Sequence, residues 1–229
     1  MRASPDDLVA RLSRLDSTVV SDALDGLGLS PGIGELRPAW GRPTVAGTVR
    51  TLQLEPDPGD RVGAHLGTSL VAAANPGDVL VVANDGRLDV SCWGGILSLG
   101  SALRGVAGVI ADGACRDIAE AEGHGLPVFS RGACPRTGRR RVRQHSIGEP
   151  VAIAGVEVAE GDLVIADDSG VVFVPLAWAV DVLAAAEGIQ AREAGIIADV
   201  RAGVPIDQAM HDARLAGQPY STRAAGVPA

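Results

Sequence analysis

The fold is decided by one short stretch of the chain, GVAGVIADGACRD, which occupies residues 105–117. Its apolar part, residues 108–112, predicts a short buried strand, and the glycine that follows predicts a turn. Arg116 and Asp117 come directly after that turn. In α/β proteins ligands bind beyond the carboxyl ends of the strands, which makes this charged pair the first candidate for a functional site.

Helices and strands alternate on both sides of this stretch. Apolar residues at helical spacing predict helices, and β-branched runs predict strands. The helices are expected within residues 5–28, 96–104, 118–122 and 176–202, and the strands at 45–54 and within 151–174. This succession predicts an α/β fold. No linker of low complexity divides the chain, so residues 1–203 are predicted to form a single catalytic domain and residues 204–229 a loosely held C-terminal tail.

Two local features give further expectations. Ser17 or Thr18 is expected to cap the second N-terminal helix. Segments 75–86 and 159–170 resemble each other, because in each a Gly-Asp turn starts a short buried strand that ends in an acidic turn. The two segments are either copies of an internal repeat or two unrelated strands that begin with the same type of turn. The second interpretation is preferred.

Composition and charge exclude several classes of function. The 229 residues are 46% hydrophobic and carry a formal net charge of −8, so the chain can bury a sizeable core but repels nucleic acid and anionic membranes. No apolar run reaches the roughly 18 to 20 residues that span a bilayer. No basic stretch leads into an apolar one at the N-terminus. We therefore expect a soluble cytoplasmic protein with no nucleic-acid or membrane partner.

The basic residues narrow the chemistry further. All 20 lysine-or-arginine positions are arginine, and the chain has no lysine. Schiff bases, pyridoxal phosphate attachment and phosphate-binding loops each need a lysine amine. The three cysteines and four histidines have no spacing typical of a disulfide framework or a zinc site. Aldol or decarboxylation chemistry must therefore stabilise its enolate with a metal ion or with fixed hydrogen-bond donors.

Arg116 and Asp117 have complementary chemical abilities. A guanidinium can hold a carboxylate through two parallel hydrogen bonds. A carboxylate can hold a hard divalent cation that keeps most of its waters. The alternative is an Arg-Asp surface pair at the start of a helix, in which Asp117 is the N-cap. Chemistry alone leaves these two interpretations evenly balanced.

A longer stretch around this pair, residues 93–117, resembles the signature of the RraA-like family. Four flanking segments agree with the resemblance, which covers roughly residues 17–203: SDAL at 21–24, PGD at 76–78, PVFSRG at 127–132 and GDLVIADDSGVVFV at 161–174. The family includes 4-hydroxy-4-methyl-2-oxoglutarate/4-carboxy-4-hydroxy-2-oxoadipate aldolases, which also decarboxylate oxaloacetate, and regulators of ribonuclease E activity. The resemblance implies a swivelling β/β/α domain, which is an α-β-β-α sandwich.

The resemblance also implies a reaction and a site. The chain would be a divalent-metal-dependent lyase that cleaves a C–C bond of a 2-oxo acid and releases pyruvate. Arg116 would bind the carboxylate and oxo group of the pyruvate moiety, and Asp117 would hold Mg²⁺ or Mn²⁺. Glu193 of a neighbouring subunit would complete the catalytic set, so the site would require a homotrimer or a hexamer. Backbone N–H groups would bind the same ligand at Gly94, Gly95, Ile96 and Leu97.

One position departs from the aldolases of this family. They carry an acidic residue 21 positions before the arginine, and Gly95 stands there in this chain. Asp85, Asp89 and Asp112 are candidates for supplying a carboxylate instead, although each is also typical of a turn or a strand end. The missing acid leaves room for a second function, a non-catalytic RraA-like regulator that binds a ribonuclease or another protein partner.

Three other groups of polar residues have weaker functional interpretations. Residues 136–143 include five arginines and could meet a polyanion, but on an acidic chain such a run is more often a solvated loop or a subunit contact. His124 and His145 could exchange protons, but no pattern places them near the candidate site. Asp167 and Asp168 end a strand, where turn chemistry is favoured over a second carboxylate site.

Overall fold

The computed structural model describes residues 4–59 and 65–211, and these residues form a mixed α/β structure. The helices are α1 (Pro5–Leu12), α2 (Ser17–Gly26), α3 (Thr68–Ala73), α4 (Gly95–Leu103), α5 (Ile118–Gly123), α6 (Ala179–Arg201) and α7 (Ile206–Ala209), with a 3₁₀ turn at Leu176–Trp178. The strands are β1 (Arg37–Pro38), β2 (Val45–Pro56), β3 (Asp78–Trp93), β4 (Gly108–Cys115), β5 (Val128–Ala133), β6 (Val142–Ile147), β7 (Val151–Ile153), β8 (Val156–Val158), β9 (Leu163–Asp167) and β10 (Gly170–Val174).

Eight of these strands form one mixed sheet in the order β1-β5-β4-β3-β2-β9-β10, with β6 paired to β2. Strands β2 to β5 run parallel to one another, whereas β9 and β10 are antiparallel additions. A bridge between Ile33 and Val171 brings the chain before β1 against β10. The sheet therefore nearly closes into a barrel, and β7 and β8 form a separate hairpin.

Three apolar clusters define the layers of the fold. One cluster joins α1, α2 and α6 to β9 and β10, and a second joins α3, α4 and α5 to β2, β3 and β4. A third fills the space between the two halves of the sheet and includes Phe129 and Phe173. The layers are thus helix, sheet, sheet, helix, which confirms the predicted α-β-β-α sandwich.

Alternation along β3 shows how one strand serves two of these layers. Successive side chains of a strand point to opposite faces. Leu80 and Val82 accordingly pack toward α3 to α5, whereas Val79 and Val81 pack into the central cluster. All four side chains are fully buried, which explains why this stretch of the sequence is continuously apolar rather than alternating.

The glycine turn predicted after residue 112 is wrong. Strand β4 continues through Gly113 to Cys115 and stays paired with β3 and β5. A Cβ atom on Gly113 would lie 2.9 Å from the Asn84 side-chain nitrogen and 3.0 Å from the Arg87 carbonyl oxygen. Glycine at this position therefore permits close strand packing, and it does not mark a turn.

The predicted cap of α2 is wrong, whereas the resemblance of the two segments is limited to their first turn, as the preferred interpretation expected. The N-cap is Asp16, whose carboxylate accepts the Val19 N–H at 3.0 Å, rather than Ser17 or Thr18. Asp78 and Asp162 each accept the backbone N–H three residues earlier, so the shared turn is real. The strands that follow differ, because β3 continues past residue 86 and pairs in parallel, whereas β9 pairs only antiparallel.

Part of the predicted C-terminal tail is ordered as α7, and residues 212–229 of that tail lie outside the described residues. None of the helices in the described part of the chain is both long enough and apolar enough to cross a bilayer.

Candidate active site

Asp117 joins β4 to α5 in an unusual backbone conformation. Its φ of 57° and ψ of 40° lie in the left-handed region, which aspartate tolerates better than most residues. Asp117 is the N-cap residue of α5, as the alternative interpretation expected, but its carboxylate makes no capping hydrogen bond to that helix. Oδ2 instead accepts the Gly95 N–H at 3.1 Å and lies 3.2 Å from Nε of Arg116. The strained backbone thus turns the carboxylate toward the start of α4.

The first turn of α4 lies opposite this carboxylate and presents backbone donors. A helix N-terminus carries unsatisfied N–H groups and a partial positive charge, both of which favour anions. The Gly95 N–H is used by Asp117, but those of Ile96 and Leu97 donate to no other group in the described chain. A Cβ atom on Gly94 would lie 2.9 Å from Oδ2 of Asp117. Glycine at that position therefore keeps the approach to these donors open.

Glu120 supplies a second carboxylate that sequence analysis missed. A Cβ atom on Gly95 would overlap Oε2 of Glu120 and lie 2.7 Å from its carboxyl carbon. The same Cβ atom would lie 3.2 Å from Cβ of Asp117, so Asp117 and Glu120 both face the start of α4. The sequence signal that could have indicated Glu120 is its position three residues after Asp117, at the start of a predicted helix.

The three carboxylates considered as substitutes lie elsewhere. Asp89 pairs with Arg87 at 2.9 Å. Asp112 is buried against Arg131 and also accepts the Ala154 N–H. Asp85 occupies a left-handed position within β3, and none of the three lines the pocket described next. Each of these three acids therefore has a structural partner or a turn position. This agrees with the alternative interpretation, in which they are turn or strand-end residues.

A pocket of about 340 Å³ opens beside the paired carboxylates. Its wall brings together every predicted substrate-binding and metal-binding residue, with Glu120 in addition: Gly94, Gly95, Ile96, Leu97, Arg116 and Asp117. The side chain of Trp93 forms a buried part of the wall and donates from Nε1 to Ser98 Oγ at 3.0 Å. One guanidinium, two carboxylates and free backbone donors therefore share a single cavity.

Cys92 also borders this pocket but cannot serve as a nucleophile. Its side chain is fully buried, and its thiol donates to the Ala114 carbonyl oxygen at 3.3 Å. Burial, and to a smaller degree the neighbouring Cys115, raises the pKa of the Cys92 thiol to about 12. The reactive form of cysteine is the thiolate, so this residue stays inert at neutral pH.

The donor set at the pocket fits a hard divalent cation. Mg²⁺ binds through one or two protein carboxylates and keeps several waters, and Asp117 and Glu120 offer such a pair. Within the described ranges, no group of three or more His, Cys, Asp and Glu side chains could hold a metal ion. A zinc site, which needs several nitrogen or sulfur ligands, finds no support here.

Glu193 is the predicted site residue that the structure does not bring into the pocket. It is exposed on α6, in the opposite helical layer, close to Asp16 and Asp22 of the α2 region. Burial, followed by the charges of these two neighbours, raises the pKa of Glu193. Its contribution to the pocket of a neighbouring subunit stays a prediction.

The weaker candidates separate clearly. Asp167 accepts hydrogen bonds from the backbone and hydroxyl of Ser17 at 2.8 and 2.7 Å, so it ties α2 to β9. It also accepts the Ser169 N–H at 2.8 Å within the turn, as turn chemistry suggested. His145 lies 3.0 Å from Glu55, and His124 follows the end of α5. Neither histidine lines the pocket. The arginine-rich run, in contrast, borders the pocket through Thr137 and its neighbouring glycine.

Known proteins with similar sequences and structures agree with this architecture. Protein DlpA of Legionella pneumophila is 27% identical over 206 residues, covering 90% of this chain and 34% of DlpA. The chain thus spans about a third of the length of DlpA. A Thermus thermophilus protein named 4-hydroxy-4-methyl-2-oxoglutarate aldolase is 30% identical over 135 residues, which cover 59% of this chain and 78% of that protein.

A solved structure extends the comparison to the regulators. Streptomyces coelicolor RraAS2, described as an unusual member of the RNase ES inhibitor RraA protein family, has a TM-score of 0.74 and 29% identity. The match covers 84% of this chain and 96% of RraAS2. The sequence model of the RraA-like family, described as Aldolase/RraA, matches residues 17–173. The chain therefore belongs to the RraA-like family.

Proposed function

We propose that this chain is a divalent-metal-dependent lyase that cleaves a C–C bond of a 2-oxo acid and releases pyruvate. The reaction is that of a 4-hydroxy-4-methyl-2-oxoglutarate aldolase, an oxaloacetate decarboxylase, or both. The observation that carries the proposal is the meeting of Arg116, Asp117 and Glu120 at the N-terminus of α4. The aldolase name of the Thermus relative supports the same class of reaction.

Arg116 and the first turn of α4 bind the substrate. The guanidinium pairs with the C1 carboxylate of the 2-oxo acid, for which its fork of donors is suited. The free N–H groups of Ile96 and Leu97 donate to the same end of the molecule, in a region that the helix dipole makes favourable for negative charge. The bond to be broken then projects into the open part of the pocket.

Asp117 and Glu120 would hold the metal ion, Mg²⁺ or Mn²⁺. When bound, the ion supplies a positive charge next to the oxygen on which negative charge develops as the C–C bond breaks. Asp117 is held for this role by the Gly95 N–H. Glu120 occupies the space that Gly95 leaves free, and so takes the place of the acid that the aldolases carry at that position.

The reaction also requires proton transfer. In aldol cleavage the 4-hydroxyl proton leaves as the C3–C4 bond breaks, and C3 of the resulting pyruvate enolate gains a proton. We assign this transfer to Glu193 of a second subunit, as the family resemblance implies, since a carboxyl group within reach of the reacting atoms can act as acid or base. The active form would be a homotrimer or a hexamer.

An exposed apolar face on α4 supports such an assembly. Ile96, Leu99 and Leu103 lie on one side of the helix and are 86%, 41% and 80% exposed. Residues spaced by three, four and seven form one helical stripe, and a contiguous exposed apolar patch is typical of an interface. Because Ile96 also lines the pocket, a subunit seated on this stripe would lie beside the active site.

A turnover assay tests the proposal. Pyruvate release from 4-hydroxy-4-methyl-2-oxoglutarate is measured with Mg²⁺ or Mn²⁺, with EDTA, and with the Asp117→Asn variant. We expect turnover that EDTA abolishes and that Asp117→Asn lowers by about 100-fold or more, since even residues that only support a metal ligand cost 10- to 100-fold when removed. Oxaloacetate is a second substrate, with metal alone as its control. Turnover that is indifferent to both EDTA and the substitution would reject the site.

A ribonuclease regulator is the second candidate, favoured by the similarity to RraAS2. In that case the chain would inhibit an RNase E-type enzyme and turn over no 2-oxo acid. Inhibition of RNA cleavage that is equal for the wild type and for Asp117→Asn, with no pyruvate released by either, would favour this candidate over the lyase.

A further inference from the structure

A loop rich in arginine forms one rim of the pocket that contains Arg116. This arginine loop, residues 134–141, joins β5 to β6. On the basis of the proposed 2-oxo acid function, we propose that Arg139 and Arg140 bind a second anionic group of the substrate. That group lies on the fragment that does not become pyruvate, so the loop selects 2-oxo acids that carry a distal carboxylate.

The arginine loop lies against the strand that leads into the active site. Thr137 and Gly138 line the same pocket as Arg116. A Cβ atom on Gly138 would lie 2.6 Å from the carbonyl oxygen of Ser91 in β3, closer than any side chain tolerates. Glycine at this position therefore lets the loop backbone approach β3 closely, next to the pocket.

The loop is held in place by hydrogen bonds at two points. The backbone N–H and the hydroxyl of Ser91 both donate to the Arg136 carbonyl oxygen at 2.9 Å. The N–H groups of Arg141 and Val142 both donate to the Gly138 carbonyl oxygen, also at 2.9 Å. A fixed loop loses little conformational entropy when it binds a ligand, so its arginines are suited to recognition.

Two of the three guanidinium groups that line the cleft beside the loop are available to a ligand. Arg141 donates to the Thr137 carbonyl oxygen at 3.1 Å and so is bonded within the loop. Arg139 and Arg140 are exposed, and in residues 4–59 and 65–211 no carboxylate forms an ion pair with either.

A second, open cleft lies beside these cations and adjoins the pocket at Thr137. It has a volume of about 500 Å³ and is lined by Thr137, Arg139, Arg140 and Arg141. Thr137 belongs to the wall of both spaces. In the proposed binding mode, an extended substrate whose 2-oxo end is held by Arg116 passes Thr137 and places its far end among the loop arginines, where charge-assisted hydrogen bonds to a carboxylate are strong.

A matched pair of unreactive ligands tests the assignment without relying on turnover. Binding of 2-oxoglutarate and of 2-oxopentanoate is measured by calorimetry in the presence of Mg²⁺. The two molecules share the 2-oxo acid end and differ in a distal carboxylate against a methyl group. The wild type is compared with the double variant Arg139→Gln/Arg140→Gln and with Arg42→Gln/Arg201→Gln, which removes the same charge at exposed positions away from the pocket.

We expect the wild type and the Arg42→Gln/Arg201→Gln control to bind 2-oxoglutarate at least about tenfold more tightly than 2-oxopentanoate, the effect of a hydrogen bond to a charged group. The Arg139→Gln/Arg140→Gln variant should lose this preference and keep its affinity for 2-oxopentanoate.

A preference for 2-oxoglutarate that survives in the Arg139→Gln/Arg140→Gln variant overturns the proposal. A smaller molar mass of that variant by light scattering also overturns it, because the loop would then be a subunit contact. A wild type that binds neither ligand rejects the 2-oxo acid site itself, and equal binding of both rejects only the role of the loop.

Discussion

The Glu120 carboxylate occupies the volume that a side chain on residue 95 would need, so Glu120 and Gly95 form a complementary pair across the start of α4 and α5. The aldolases that this chain resembles carry their acid at the position of Gly95. Here the acid comes from the facing helix. A carboxylate can therefore occupy the same place in this chain and in the aldolases, although their sequences differ at position 95.

Removal of the Glu120 charge should weaken metal binding. The Glu120→Gln variant keeps the shape of the side chain but loses a negative charge next to Asp117. We expect the Mg²⁺ concentration for half-maximal pyruvate release to rise about 10- to 100-fold. The matched control is Glu122→Gln on the same helix, which is exposed and outside the pocket. An equal effect of the two substitutions would contradict the role of Glu120.

An exchange of positions should restore the site. Gly95→Asp alone places a side chain where the Glu120 carboxylate lies, and Glu120→Ala alone removes that carboxylate. Both single variants should lose activity. The double variant Gly95→Asp/Glu120→Ala returns one acid to the same space and should recover at least about tenfold of kcat/KM relative to Glu120→Ala, as coupled neighbouring sites do. Simple addition of the two losses would show that the positions are independent.

A charge on the exposed face of α4 should disrupt assembly. Ile96→Asp places a carboxylate in the apolar stripe formed with Leu99 and Leu103. We expect light scattering to give the mass of a trimer or hexamer for the wild type and a smaller mass for the variant, with pyruvate release lost together with assembly. A wild type that is monomeric and fully active would contradict the proposed contribution of Glu193.

Asp167 should stabilise the fold in a pH-dependent manner. Burial alone would raise its pKa, but the hydrogen bonds from Ser17 and from the backbone of Ser169 and Gly170 outweigh this effect and lower the pKa below 3.8. A lowered pKa in the folded state means that the stabilisation is present above pH 3.8 and is lost as the pH falls through the lower value. We expect Asp167→Ala to reduce the free energy of unfolding by about 1–3 kcal/mol at neutral pH.

Urea unfolding at several pH values measures this contribution. The difference in unfolding free energy between the wild type and Asp167→Ala should be constant near neutral pH and should shrink below about pH 4. Asp168→Ala, at the exposed next position, is the control and should change stability by less than about 0.5 kcal/mol. A difference that grows as the pH falls would contradict the sign assigned to Asp167.

Much of the fold could be predicted because the local signals agree with the tertiary structure. The apolar spacing that predicted α2, α4 and α6 is the spacing that buries their inner faces. The errors arose where distant residues decide the local conformation. Gly113 suggested a turn, but partners on β3 and β5 keep it in the sheet. The cap of α2 was misassigned because Ser17 is engaged by Asp167, which lies 150 residues away in the sequence.

The site could be predicted where its residues are adjacent in sequence and not where they meet only through folding. The position after a buried strand predicts Arg116 and Asp117, and the family resemblance implies the turn at Gly94. Glu120 was missed because a glutamate on a short helix is common, and only the geometry shows that it fills the space above Gly95. The position of the arginine loop could not be predicted from charge alone, because Gly138 and the Arg136 carbonyl oxygen bring the loop to the pocket through contacts with Ser91 of β3.

Exchange of the pyruvate methyl protons tests the central claim most directly, because it needs the site formed by Arg116, Asp117 and Glu120 and proton transfer at C3, but no C–C cleavage. Pyruvate is incubated with the protein and Mg²⁺ in D₂O, and the loss of its methyl proton signal is followed by NMR. The account predicts exchange that depends on Mg²⁺, is lost in Asp117→Asn and is retained in Glu122→Gln. Absence of exchange in the wild type, or exchange unchanged in Asp117→Asn, would contradict it.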